Sequence, residues 1–228
     1  YVLSMPAVHR FSLGVIDLRG EDRVRFLHGM VSNDIEALGV GQGCHAAMLT
    51  TKGKLVADFV VIAEAERLRI LLAAALLDKI RAHLDKHIIM DDVELAAVET
   101  PALGVYGDDA PAALARPTGL DAAALAALPP YHFRGAVVRT PELGGVGFHL
   151  LGGDVEVEGT PLDDAELEER RIEAGTPRYG VDMGEDRLPI EAGITDAVSF
   201  DKGCYLGQEV IARATNLGHI NRRLVGLV

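Results

Sequence analysis

Two apolar runs, Ala46–Leu49 and Leu55–Ile62, flank the tetrapeptide Thr51-Lys52-Gly53-Lys54. Short apolar runs joined by a glycine-containing turn predict an antiparallel hairpin. Arg67 to Ala73 predicts a further strand, as do Val15 to Leu18 and the alternating Val93, Leu95 and Ala97. Between them lie helical patterns. Val24, Leu27 and Val31 share a face after Gly20-Glu21-Asp22, and Ser32-Asn33-Asp34 ends that helix by competing for its backbone hydrogen bonds. Leu77, Ile80, Leu84 and Ile88 form one apolar stripe, with Asp78, Lys79, Asp85 and Lys86 off it. Further on, Pro111 suits a first helical turn, and Arg116 to Pro130 reads as helix plus loop. Gly135–Arg139 and Val146–Leu151 read as strands. Asp163-Asp164 caps a helix that ends near Gly175. Strands and helices mix without strict βαβ alternation, so the predicted fold class is α+β.

The 228 residues set a prior of one or two domains. With no tryptophan and 5% aromatic residues, the core must be built from Ala, Val, Leu and Ile. The net charge of −12 argues against broad nucleic-acid affinity, which depends on neutralising phosphates with Lys and Arg. No direct nucleic-acid partner is therefore expected. Cys44 and Cys204 lie far apart in sequence, as in a reduced cytoplasmic protein. No secretory signal opens the sequence, and its longest apolar run, Ile70 to Leu77, is too short to span a bilayer, so no membrane partner is expected.

The run Lys202-Gly203-Cys204-Tyr205-Leu206-Gly207-Gln208-Glu209 sets Cys204 between flanking glycines, beside a lysine, and ahead of the helical pattern Val210-Ile211-Ala212-Arg213. An ammonium and a helix N-terminus both favour the thiolate, the nucleophilic and metal-binding form. Against this stands the ordinary role of an isolated cysteine as a small buried hydrophobe. His83 and His87 are four apart on the amphipathic helix, but no third ligand is evident, and a solvated flank is the better reading. Cys44-His45 reads as structural. The chain has no P-loop, no G-x-G-x-x-G after a strand, no G-x-S-x-G and no C-x-x-C.

KGCYLGQE resembles the defining motif of the YgfZ-type folate-binding proteins, relatives of the glycine cleavage aminomethyltransferase (T-protein). The resemblance extends to Arg171-Ile172-Glu173-Ala174-Gly175-Thr176-Pro177 with Gly180, Asp182, Leu188-Pro189 and Glu191. It continues in Phe26–Ile35 and Leu49–Asp58, segments similar to ones shared across the whole superfamily. It implies a T-protein-like α+β fold of mixed sheets and helices whose C-terminal β-barrel is missing or only begun. The parts would be 1–100, an N-terminal part of the folate-binding region; 101–221, a second part carrying the motif; and 222–228, the start of the barrel.

The resemblance further implies a tetrahydrofolate-binding protein, for this or another reduced folate. It would act in assembling or repairing iron–sulfur clusters of client enzymes, tRNA-modifying ones included, as a maintenance factor rather than a classical catalyst. Partners would be iron–sulfur assembly proteins or the clients, with a cluster transiently shared. Cys204, Lys202 and Asp58 would carry the chemistry, with Cys204 as nucleophile or as a single iron–sulfur ligand in trans; no other metal site is expected. Asn33, Asp34, Asp58, Arg171, Glu173 and Tyr205 would serve the folate, and Gly203, Gly207, Gln208, Glu209 and Arg213 would complete the motif. Asp58 matches the acidic residue that follows the Gly-rich turn of T-proteins. The segment Arg139–Leu150 departs from the T-protein run RTGYTGEDGFEI, with Gly145 at a glutamate of that run. That counts against the alternative activity, a tetrahydrofolate-dependent aminomethyltransferase or demethylase.

Overall fold

The computed structural model describes residues 5–153, 155–216 and 222–226. In chain order its elements are β1 (Ala7–Arg19), α1 (Arg23–Met30), β2 (Gly43–Leu49), β3 (Leu55–Ala63), β4 (Leu68–Ala73), α2 (Leu77–Asp85) and β5 (Glu94–Tyr106). There follow α3 (Ala110–Thr118), α4 (Ala122–Ala126), β6 (Phe133–Arg134), β7 (Val137–Arg139), β8 (Gly147–Leu151), β9 (Thr160–Pro161), α5 (Asp164–Glu173), α6 (Pro189–Ala192) and α7 (Gln208–Asn216). The fold is α+β, as the mixed pattern predicts.

The chain divides into two compact units, each discontinuous in sequence: residues 14–98 with 177–228, and residues 1–13 with 99–176. The segment from Pro177 onward is grouped with Gly14–Val98. The reason is packing across the hairpin, described next.

In the first unit the strand order is β2-β3-β4-β1-β5. β2 and β3 form the predicted hairpin, with Cys44 opposite Val61, Ala46 opposite Phe59 and Met48 opposite Ala57. Successive side chains alternate between the faces of a sheet. One face therefore carries Cys44, Ala46, Met48, Ala57, Phe59 and Val61. It packs with Phe26, Leu27 and Met30 of α1 and with Ile80 and Leu84 of α2, all within the unit's main core. Each large aliphatic side chain buried there contributes about 1.5–3 kcal/mol. The other face carries His45, Ala47, Asp58 and Val60. Ala47, Leu49 and Leu55 are covered by Met183, Ala192, Ile194, Ala197, Val198, Tyr205 and Ile211, a second core supplied by the C-terminal segment.

Two glycines fix how α7 meets the hairpin. Gly207, at φ +85°, would place a Cβ 2.5 Å from the Thr50 carbonyl oxygen. Gly53, at φ +70°, would place one 3.0 Å from the Val210 side chain. Both positions combine left-handed backbone with close approach, and only glycine meets both demands. The glycine of the hairpin turn and the second glycine of KGCYLGQE thus interlock.

In the second unit the order is β1-β5-β8-β7-β6, with β9 parallel to β1. Its core joins Leu103, Val105, Ala110, Leu114, Leu125, Val137, Phe148 and Leu150. α5 opens with a full capping box between Asp163 and Glu166, and Pro111 lies in the first turn of α3. β5 runs well beyond the expected Val93–Ala97, because Pro101 and the polar Glu99-Thr100 interrupt the alternation without ending the strand. Arg222–Gly226, expected as part of a first barrel strand, takes no strand pairing; Leu224 donates its N–H to the Glu191 carbonyl (3.0 Å). The last two residues of that expected strand, Leu227 and Val228, lie outside the described residues. Among the described residues no helix is long and apolar enough to cross a membrane.

Candidate functional site

The segment after α1 leaves the helix through Val31 and runs along β2. Ser32, fully buried, is its fastening point. Its N–H bonds the Ala47 carbonyl (2.9 Å), and its Oγ accepts from Ala47 N–H (3.0 Å) and donates to the Ala197 carbonyl (2.6 Å). Asn33 continues the stitching, its Nδ2 donating to the carbonyls of His45 (2.6 Å) and Asp196 (2.9 Å). Asp34 takes its N–H to Asn33 Oδ1 (2.8 Å) and lies 3.3 Å from His28 Nδ1. Two of the expected folate residues, Asn33 and Asp34, thus stand in one loop beside the hairpin.

The hairpin supplies the third. Asp58 pairs with Ala47 in register, which sets it diagonal to His45 on the same face. His45 Nε2 lies 3.0 Å from Asp58 Oδ2, and His45 Nδ1 lies 3.1 Å from Asp196 Oδ2. Asp196 comes from a 3-10 turn, Thr195–Ala197, in the segment that covers this face. Burial pulls the His45 imidazole down, but the hydrogen bonds to Asp196 and Asp58 outweigh it and push its pKa up to about 9. His45 thus bridges two carboxylates from different parts of the chain. Asp196 was not singled out by sequence at all. The available signal was a pair of polar residues, His45 and Asp58, interrupting two apolar runs that a hairpin brings together.

Lys202 is buried, and its Nζ donates to three carbonyls: those of His28, of Val31 (2.9 Å) and of Asn33 (2.9 Å). Burial pulls its pKa down to about 8, against the attraction of Asp34, Cys44 and Glu36. The three acceptors satisfy every ammonium proton. The expected service of Lys202 to Cys204 is therefore not its arrangement here, since its donors are spent on the last turn of α1 and the chain after it. Tyr205 is also buried, its ring 5.1 Å from Lys202 Nζ, and burial raises its pKa. Cys204 stands between these two inward-facing side chains and is itself exposed. Gln208 opens α7, and Glu209 pairs with Arg213 at 2.6 Å on its exposed face. In this motif, then, lysine, tyrosine and the second glycine hold the segment down while the cysteine faces out.

Burial pushes the other thiol, Cys44, up to about 12 despite the attraction of Lys202. At pH 8 on the order of one Cys44 in 10⁴ is then thiolate. Native protein treated with iodoacetamide at pH 8 should therefore label at Cys204 alone, and Cys44 should label only after unfolding. Peptide mapping checks this; equal native labelling would refute it.

The remaining expected residues belong to the second unit. Arg171 is buried, with bonds to both Glu168 oxygens (3.0 and 2.6 Å) and to the Thr176 carbonyl beyond α5. Those groups tie the helix end to the chain that follows. Glu173 lines a cavity of about 530 Å³ with Tyr106, Asp108 and Arg170. Nearby, Glu142 Oε2 lies 3.1 Å from Tyr106 Oη and 3.0 Å from His149 Nε2. The His83 and His87 rings stand 4.7 Å apart, and among the described residues no cluster of three or more His, Cys, Asp and Glu side chains is placed to hold a metal ion.

This is the fold of the glycine cleavage aminomethyltransferases. The crystal structure of aminomethyltransferase T from Bartonella henselae matches 94% of the chain at a TM-score of 0.81 and 23% identity, covering 64% of that protein. The GCVT N-terminal domain family matches residues 9–142. The tRNA-modifying protein YgfZ of Yersinia enterocolitica is 31% identical over 93% of the chain and 68% of its own length. An aminomethyltransferase of Rubrobacter xylanophilus is 29% identical over 94% of the chain and 62% of its own length. The chain belongs to the GCVT N-terminal domain family, as a YgfZ-type member of the aminomethyltransferase superfamily. It spans about two thirds of the length of these relatives.

Proposed function

We propose that this protein binds a reduced folate and acts, through Cys204, in the assembly or repair of iron–sulfur clusters in client enzymes, tRNA-modifying ones among them. The observation that carries this reading is the build of KGCYLGQE. Lys202 and Tyr205 are buried and Gly207 is sterically required, so the motif's fixed parts present one exposed thiol. An exposed thiol on a segment held this firmly suits contact with a cluster or a partner. The donor set fits a folate as well. Asp58 Oδ2 is engaged by His45, while Oδ1 has no hydrogen-bond partner among the described residues. A partly buried carboxylate oxygen in this state suits the N–H groups of a pteridine edge.

Complementation tests this reading. In a host lacking the protein, an iron–sulfur enzyme should regain activity with the intact wild type and not with Cys204→Ser. Equal rescue by both would remove Cys204 from the function. The second reading, folate-dependent aminomethyl transfer, is favoured by the His45–Asp58 pair and by the relatives named aminomethyltransferase. It would then take first place.

A further inference from the structure

We propose that His45 is a positioning residue for the folate-facing carboxylate: as an imidazolium it locks the rotamer of Asp58 through Oδ2, reserves Oδ1 for an N–H donor of the ligand's heterocycle, and fastens the Asp196 turn across the strand. The proposal rests on the folate reading given above and adds to it a residue and a mode of control.

The geometry carries the argument. Each ring nitrogen of His45 faces a carboxylate oxygen, at 3.0 and 3.1 Å. A neutral imidazole has one N–H and one lone pair, so it would turn that lone pair on one of these oxygens; only the doubly protonated ring donates to both. The backbone is fixed independently of that charge. Asn33 Nδ2 bonds the carbonyls of both His45 and Asp196, so ring and turn are already in place when the proton arrives. The His45 side chain is 12% exposed and that of Asp58 20%, so their interaction is little screened; Asp196, at 53%, is the weaker and adjustable partner.

Asp58 from β3 and Asp196 from the 3-10 turn both face the ring. Cys44 precedes it on β2 with its side chain on the opposite face. Lys202, Asp34 and Glu36 act on one another from the segments beside it, and His28 faces Asp34. Burial pulls His45 down and the two carboxylates more than restore it, which sets the pH range of the test.

The test is calorimetric titration with 5-formyltetrahydrofolate from pH 6.5 to 10, on wild type, His45→Gln and Asp196→Asn. Histidine ¹⁵N shifts report the ring's protonation state in the same samples. Wild-type affinity should hold to about pH 8 and fall about tenfold as pH rises through 9. Asp196→Asn should keep the low-pH affinity and begin its fall at least about one unit lower. His45→Gln should bind about tenfold more weakly throughout, without the pH step. A flat wild-type profile, or unchanged affinity in His45→Gln, overturns the proposal. So does a neutral ring at pH 7.5. If no form binds folate at any pH, the folate reading fails and the ligand-positioning role with it. A doubly protonated ring at pH 7.5 would in that case uphold only the lock on Asp58 and the turn.

Discussion

Replacing Lys202 with methionine should lower the unfolding free energy by about 3–4 kcal/mol, at the top of the range for single substitutions. Methionine fills a similar volume but donates nothing. It would leave the carbonyls of His28, Val31 and Asn33 facing a side chain that cannot bond them. Each buried acceptor stripped of its donor costs about 1–3 kcal/mol, and part of that total is returned because a buried ammonium no longer has to be desolvated. Lys202→Arg should not rescue the loss, since a planar guanidinium cannot point three donors at three carbonyls converging on one nitrogen. Urea denaturation at pH 7 measures all three proteins. A loss below about 1 kcal/mol for Lys202→Met would mean the carbonyls find water and the lysine is not a structural anchor. The outcome also bears on function. If Lys202 is the anchor, its loss displaces Asn33 and the loop beside Asp58 as well as the cysteine segment. A Lys202 variant would then report on the whole corner rather than on thiol chemistry.

The sequence carried the hairpin, the amphipathic α2, the α5 cap and the α+β class, because each depends on residues near one another in the chain. Period-2 and period-3.6 patterns survive whatever the chain packs against. The motif was legible as a motif, but the direction of its side chains was not. A lysine two residues from a cysteine reads as its activator until the structure turns the lysine inward to three carbonyls 169 to 174 residues away in sequence. His45 was missed for the same reason. Its partners are 13 and 151 residues distant, and only the cover of the hairpin by the C-terminal segment brings Asp196 to it. The discontinuous units have a like origin: the face formed by Ala47, Leu49 and Leu55 is apolar, and the residues that bury it come from beyond Pro177. Local pattern predicts that a face must be covered and does not say by which part of the chain.

The same long-range bridge sets an expected pH dependence of stability. His45 titrates from its ordinary value of 6.5 when unfolded and from about 9 when folded. The folded state therefore binds the proton more tightly, and the stability this confers is fully present below about pH 6.5 and is lost as pH rises through about 9. The full linkage is about 3 kcal/mol at 1.36 kcal/mol per unit. Half-exposed Asp196 supplies part of the attraction and is screened by solvent, so about 2 kcal/mol is the expected loss. Two other groups titrate nearby, with different signs. Lys202, held at about 8, favours the folded state increasingly as pH rises from there toward its ordinary 10.5. Cys44, at about 12, disfavours it above pH 9, where the unfolded thiol ionises and the folded one does not. Neither is altered in His45→Gln. Subtracting the variant's stability curve from that of the wild type, measured in urea from pH 6 to 10, isolates the His45 contribution. The difference should be largest at pH 6 and shrink by about 2 kcal/mol at pH 10. A difference that stays constant would mean that the ring is neutral across the range and that the two carboxylates are held by other means. Adding about 0.5 M salt separates the halves of the bridge. The exposed Asp196 contact should weaken while the partly buried Asp58 contact persists, so the step should shrink without disappearing.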